Sequence, residues 1–579
     1  MLLQCHGAAG QYNAQPSQHN WNRPMGLSKL AAGCLLFLCS LVQAEPNRTL
    51  YLLRQGHFQS AIENYEQHVF ETGKHDYQIL QQIGLTLIEL GWKCSDPEIK
   101  LLSLFGAGIS AHDQAQHLLE DAIRANDPRF QLAALNFLSK NYTDDSSRFL
   151  NLAMKSDFLP IRLEAVFHMA QKQHPKTAYQ IESLMQKVPP EVLPLFPQLL
   201  GASGDRDSMI MLRRLMSHPL LAVRLEAILS AARAGRDDLL PEIRGISSHH
   251  QIEEQEAAAV AIGLLKDEES VKRLTELKQS KAKNVQIASL QALYRMGRED
   301  AALPLIEMAR QGNLFAISVL SELNQSENTL YELCCTEDLN IRINAALSLL
   351  ERRDPRCLQT LLELFLRDPR DLALSQTHSA GKGLAAYKIV PSAQQNFEST
   401  PLLYEQTLNL KEAALQKTLE LPEKDFFAFA RLLFDTRQND LIPALTHLLE
   451  ECRSPGAVEI LKTYREQIGA PLIRYWCNLA LYRMKEEGPY TPTLKFWVKE
   501  YQFHDMIQFR PMLPWKMRSA NASQYQLTPQ ETSRLLVETY ESLVQLQDEE
   551  GIALILEAIK SGNRKNRYAL AGLLIRAAN

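Results

Sequence analysis

The sequence predicts an all-α chain, an α-α superhelix (solenoid) of stacked antiparallel helix pairs, and three observations carry that prediction. The apolar set Phe130/Ala134/Leu138 returns as Ile161/Ala165/Met169, Val223/Ala227/Ala231 and Val285/Ser289/Leu293. The steps are 31, 62 and 62 residues, so further copies are expected near 192 and 254. Self-similarity at a period of about 20–50 residues marks an array in which each unit is stable only against its neighbours. Second, a glycine recurs at 204, 235 and 297, each followed by acidic residues. Gly just past one helix with an acid near the start of the next is what a tight helix–helix turn requires. Third, no alternating strand pattern is long enough to build a sheet.

The N-terminus reads as an address. Lys29 precedes an apolar run from Leu30 to Val42, and Val42-Gln43-Ala44 before Glu45 fits a small-x-Ala cleavage site. A basic residue, a short apolar run and that site describe a secretory signal peptide occupying residues 1–44, cut between Ala44 and Glu45. Residues 1–24 carry one charge, Arg23, unlike the basic start of a leader, so two readings stay open: a true start at Met25, or a signal internal to an over-long gene product. Its apolar run is too short to cross a bilayer comfortably, and no later stretch reaches 18 uninterrupted apolar residues, so the mature chain has no integral membrane segment. A helix at the start of the array is the alternative reading of the run. Removal of the leader deletes Cys5, Cys34 and Cys39 and leaves six cysteines without a short-spaced disulfide framework. Cys334 and Cys335 are adjacent, and neighbouring helical side chains diverge by about 100°, so buried free thiols are expected rather than a bridge.

Residues 45–96 are expected to form a helical cap. Gly56-His57-Phe58, Ala61 and Tyr65 resemble the middle of a tetratricopeptide repeat, where glycine allows the turn and Ala61 and Tyr65 share one packed face. The array itself is expected over 97–367. Ile161-Arg162-Leu163-Glu164-Ala165, Val223-Arg224-Leu225-Glu226-Ala227 and Ile341-Arg342-Ile343-Asn344-Ala345 resemble HEAT repeats of the short bacterial type found in phycobilisome lyases. The resemblance implies that Arg162, Arg224 and Arg342 pair with acidic residues between units, with Gly204, Gly235 and Gly297 as the inter-helix turns. A ladder of ligand contacts is the functional alternative for the arginines. Gln255 and Gln286 replace the arginine, Pro194 and Pro197 degrade the copy near 192, and residues 313–337 are shortened, so bends are expected at the latter two places.

Residues 368–422 break the rhythm and are read as an irregular insertion or linker. Helices resume over 423–579, with Ser454-Pro455 as N-cap and N1 and Thr528-Pro529-Gln530-Glu531 as a capping box. A second irregular segment is expected at 488–527. It holds Trp497, Phe509 and Trp515, with Pro511 and Pro514 blocking a regular helix. Two readings stay open for these aromatics: a partner-binding hot spot, or a loop tucked against the last helices with Trp515 as core.

Chemistry is sparse. Gly381-Lys382-Gly383 evokes a phosphate loop but lacks the Gly-x-x-x-x-Gly-Lys-Ser/Thr spacing, so a flexible loop is expected. His249, His250, Glu253 and Glu254 lack HExxH or paired cysteines and read as exposed turn residues rather than metal ligands. No nucleophile elbow or Cys–His motif stands out. A net charge of −5 and a pI near 6.3, without clustered Lys/Arg, argue against nucleic acid as partner. The expectation is an exported, non-enzymatic scaffold, without cofactor or metal, that binds another protein along its concave face. The alternatives are an accessory enzyme like the chromophore lyases of the same repeat type, though no residue here matches a lyase site, and a cytosolic scaffold whose leader is not cleaved.

Overall fold

The structure, a computed structural model, describes residues 48–141, 146–367, 373–390, 400–467, 469–507, 529–546 and 548–578. The leader with Ala44 and Glu45 lies outside the described residues, as do Phe509 and Trp515. The chain divides into two compact units, Met1–Lys74 and His75–Asn579.

In the first unit, a helix over 48–54 and the helix Phe58–Thr72 are joined at Gly56, whose φ of +79° suits glycine. Leu53, Ala61, Ile62 and Tyr65 are fully buried, as the tetratricopeptide-like pattern predicts. The expected boundary at 96 is corrected: the helix Tyr77–Lys93, capped by the Asp76 carboxylate, belongs to the second unit. Its residues Ile79, Leu80, Ile83, Leu87 and Ile88 are buried there.

The second unit is built of helix pairs in two layers. One layer contains Leu195–Ser203, Leu221–Arg233, Ile252–Leu264, Lys283–Arg295, Leu314–Val319 and Leu339–Glu351, each packed directly on the next. The other contains Arg206–Leu215, Leu240–Ile246, Val271–Leu277, Ala302–Arg310 and Glu327–Cys334, which touch one another sparingly. Closer spacing in the first layer makes it the inner one, since a stack curves toward its tighter side. Small residues permit that spacing. A Cβ on Gly263 would stand 2.6 Å from the Ala292 Cα of the next inner helix, and one on Gly201 3.2 Å from the Ser230 Cβ. The recurring apolar sets lie on Pro128–Asn141, Leu159–Gln171, Leu221–Arg233 and Lys283–Arg295 and are buried throughout, and the copies expected near 192 and 254 are the helices Leu195–Ser203 and Ile252–Leu264. The degraded and shortened copies carry the shortest inner helices, of 9 and 6 residues against 13 in their intact neighbours. Gly204, Gly235 and Gly297 all adopt positive φ at the turns, +66°, +67° and +81°.

The inner layer continues through Thr400–Lys417, Ile442–Cys452, Pro471–Arg483 and Pro529–Gln545 to Arg567–Ala577. This last helix then packs between Tyr77–Lys93 and Pro97–Ser110, so the array of the second unit returns on itself. The crossing is made of glycines. A Cβ on Gly106 would meet the Tyr568 carbonyl oxygen at 2.2 Å, one on Gly572 the Gly106 oxygen at 2.3 Å, and one on Gly84 the Ala571 oxygen at 2.6 Å. An ion pair, Lys565 Nζ to Glu98 at 2.7 Å, flanks it.

Two expectations about irregular segments are corrected. Within 368–422, strands β1 (Leu374–His378) and β2 (Ala385–Ile389) form an antiparallel hairpin, with Leu374 opposite Ile389 and His378 opposite Ala385, and Thr400–Lys417 is a helix. Within 488–527, residues Tyr490–Tyr501 are helical, because the prolines that block a helix stand ten residues further on.

The ring closure is sensitive to a single methyl group. Gly106→Ala forces backbone apart and should lower the melting temperature, overpacking of this kind costing about 1–3 kcal/mol. Gly245→Ala, at an exposed helical glycine with open space around it, should leave the melt unchanged or raise it by about 0.5–1 kcal/mol. Equal melting temperatures for the two variants would contradict the closure.

Candidate partner-binding site on the inner layer

The Arg repeat is partly a set of links between repeats. Arg224 donates to Glu254 of the following inner helix (Nε–Oε1 2.5 Å), to Gln251 Oε1 (2.8 Å) and to the His218 and Pro219 carbonyls. Arg342 pairs with Glu363. Arg162 departs from the pattern: its Nε is buried and has no hydrogen-bond partner among the described residues. The reading of His249, His250, Glu253 and Glu254 as exposed turn residues is corrected at one position. Glu254 is buried between Arg224 and His249 (Nδ1–Oε2 2.7 Å), while His250 stays exposed. Burial pushes the Glu254 carboxyl up, and the hydrogen bonds from His249 and Arg224 outweigh it and hold the pKa below its usual range.

The residues that face the inner surface are different ones. Gly381-Lys382-Gly383, expected to be a flexible loop, is the tip of the β1–β2 hairpin and is docked on two inner helices. Glu256, fully buried on Ile252–Leu264, accepts from the Ser379 hydroxyl and from the Gly381 N–H (3.0 Å). Glu226, on Leu221–Arg233, accepts from the Lys382 ammonium (3.2 Å) and from Gln198 Nε2 (3.0 Å). The glycines are sterically required: a Cβ on Gly381 would meet the Glu253 carbonyl oxygen at 2.6 Å, and one on Gly383 the Val260 Cγ2 at 2.7 Å.

At its other end the hairpin is read by its backbone. Asn344, on Leu339–Glu351, donates to the Tyr387 carbonyl (2.7 Å) and accepts the Tyr387 N–H (2.8 Å), which makes its carboxamide a surrogate strand neighbour. Asn340 accepts the Ile389 N–H (2.8 Å), and Thr407 accepts the Leu374 N–H (2.8 Å). These contacts lay β1 and β2 across the inner layer from Leu221–Arg233 to Thr400–Lys417. Burial is the dominant influence on the Glu256 carboxyl and raises its pKa, against the hydrogen bonds from Ser379 and the tip amides.

These inner-face residues carried a faint signal in the sequence. Glu226 and Asn344 both stand two residues after the repeat arginine, at positions that are polar yet buried. The run Ala257-Ala258-Ala259-Val260-Ala261-Ile262-Gly263 is apolar on every face, and such a helix must be covered all round.

Trp497, one of the candidates for a partner-binding surface, is corrected to core. It is fully buried, stacked on Tyr501 and packed against Tyr475, because it lies on the packed face of a helix and not on irregular backbone. Among the described residues there, Phe496 and Phe503 are exposed.

A separate cluster ties three successive inner helices together. His447 Nε2 meets Glu538 Oε2 at 2.9 Å, and Arg483 reaches the same carboxylate at 3.0 Å and the Ser542 hydroxyl at 2.7 Å. Hydrogen bonds to Glu450 and Glu538 push the His447 pKa up to about 9, so it is charged at neutral pH and poorly suited to act as a general base there. Cys334 and Cys357 are unbridged, and burial pushes each thiol up to about 12, far from a nucleophilic thiolate at neutral pH. No helix among the described residues is long and apolar enough to cross a membrane.

Stacked antiparallel helix pairs, glycine turns and arginine links between repeats give this chain the architecture of a HEAT-type helical-repeat protein. No family model matches the sequence, and no curated protein is similar to it at sequence level. Among solved structures it is similar to a chain in the complex of CpcE and CpcF of phycocyanin lyase from Nostoc sp. (13% identity, TM-score 0.29, 37% of this chain and 92% of that one). It is also similar to Kap121p bound to Ste12p (11%, 0.39, 91% and 62%) and to UNC-45 from Drosophila melanogaster (12%, 0.32, 92% and 88%). The chain thus spans about 62% of the length of Kap121p. These likenesses are of fold alone.

Glu256 should reveal itself in pH-dependent melting. Its pKa is raised above 4.5 by burial, so the stability it supports is whole below pH 4.5 and lost as pH climbs through the raised value. Glu256→Gln should therefore melt higher than the parent at pH 7, with the gap closing toward pH 4.5. Glu256→Ala should melt lower, since each buried donor left without an acceptor costs about 1–3 kcal/mol. His447 has the opposite sense: its contribution is complete below pH 6.5 and disappears as pH rises through about 9. His447→Gln should be less stable than the parent at pH 6 and converge on it above pH 9, as followed by thermal melts in a pH series.

Proposed function

We propose that this chain is an exported, non-enzymatic scaffold whose inner layer binds a polypeptide partner. The observation that carries the proposal is the docked hairpin: the inner helices present carboxylates and carboxamides spaced to satisfy the N–H groups, the carbonyls and a lysine of a segment laid across them. Buried side chains that serve another segment's main chain make a surface suited to holding polypeptide in general. A curved repeat array supplies an extended binding face. Export rests on the leader and its Ala44/Glu45 cleavage site.

Crosslinking of the full chain followed by partner identification tests the proposal. A specific protein should be recovered by the parent and lost with Glu226→Lys plus Glu256→Lys, and intact mass should show the mature chain beginning at Glu45. Purified protein that captures no partner and turns over a small molecule would refute the scaffold reading. A mature chain retaining residues 25–44 would refute export.

A further inference from the structure

Resting on the scaffold reading, the geometry points to a specific ligand class and a specific competitor: the hairpin Leu374–Ile389 is a resident ligand of the inner layer, and the partner binds by replacing it with a β-hairpin of its own whose turn carries a lysine between two glycines.

Recognition of the tip leaves little freedom. Two carboxylates, Glu226 and Glu256, require one cation and one or two N–H or O–H donors at fixed places. The contacts of Gly381 with the Glu253 backbone and of Gly383 with Val260 exclude any side chain flanking the lysine. Recognition of the strands, in contrast, is largely indifferent to sequence, because Asn340, Asn344 and Thr407 address main-chain groups. A foreign hairpin with the same turn would meet all of these demands.

The resident hairpin is also weakly anchored compared with the helices around it. Its buried apolar side chains are few, two alanines and two leucines: Ala373, Leu374, Leu384 and Ala386. A two-stranded hairpin has marginal stability of its own. Docking buries the Glu256 carboxylate completely, which opposes the association at neutral pH. An open pocket of about 310 Å³, bordered by Ser318, Asn344, Tyr387, Ala414 and Lys417, lies beside the strands, so solvent reaches this edge of the hairpin. Release would rehydrate Glu256 and leave the helix-to-helix contacts of the ring in place.

The test uses the full chain and a fluorescein-labelled, backbone-cyclised synthetic copy of residues 373–390, titrated by fluorescence anisotropy. The parent should bind the peptide weakly, because its own hairpin occupies the site. A Gly381→Val/Gly383→Val variant, whose hairpin is expelled, should bind at least ten-fold more tightly. That gain should vanish with Asn344→Ala added to the variant, or with a peptide carrying Glu in place of Lys382. A folded double variant that binds no better than the parent overturns the inference. Hydrogen exchange on the unaltered protein provides an independent reading that needs no mutant: the Gly381, Tyr387 and Ile389 amides should open by a local step, ahead of the amides of Ile252–Leu264. Exchange of all of them only at global unfolding also overturns it. If the peptide binds as described while crosslinking recovers no protein, hairpin exchange stands and the scaffold reading falls. A recovered partner that binds parent and double variant equally overturns exchange and leaves the scaffold reading intact.

Discussion

The second unit depends on how closely its inner helices approach one another. Where Gly263 faces Ala292 and Gly201 faces Ser230, backbones come nearer than larger side chains would permit. The outer helices are held apart by ordinary side chains, so every repeat contributes a small inward rotation. The same device, carried further, forms the crossing of Gly84, Gly106 and Gly572 that joins the last helix to the first. Curvature, closure and the existence of an inner face all follow from small residues placed on one layer.

Closure changes the energetics expected of a repeat array. An open stack leaves a terminal helix uncovered and needs a polar cap at each end. Here Arg567–Ala577, with Leu570, Leu573, Leu574 and Ile575 buried, covers the helices at the other end of the unit and is covered by them. Ion pairs such as Arg224–Glu254, Arg244–Asp267 and Arg295–Glu322 span neighbouring repeats. Those that are exposed add register more than stability, whereas Glu254 and Asp267 are buried and would be costly without their arginines. The cluster of His447, Arg483 and Glu538 serves the same purpose in the C-terminal repeats.

Much of this was legible in the sequence, and the exceptions have physical causes. The recurring apolar sets, the glycine turns, the Ser454 cap and the linking role of Arg224 are local features, decided by residues within one helical period or one repeat. The hairpin escaped notice because its strands are five residues each, and the side chains that satisfy them come from helices far away in sequence. Trp497 was misplaced because aromatic content says nothing of which face of a helix it occupies. Its neighbours Phe496 and Phe503 are exposed while it is buried.

The sequence by itself determined that the chain is helical, where its repeats lie and which residues form their common core, because periodicity and capping act over a few residues. Only the tertiary structure decided that the second unit closes on itself and that its inner face already holds a segment of the same chain. Both depend on contacts between residues separated by more than a hundred positions, where Gly106 meets Tyr568 and Glu256 meets Ser379, and no local pattern specifies which distant backbone will arrive.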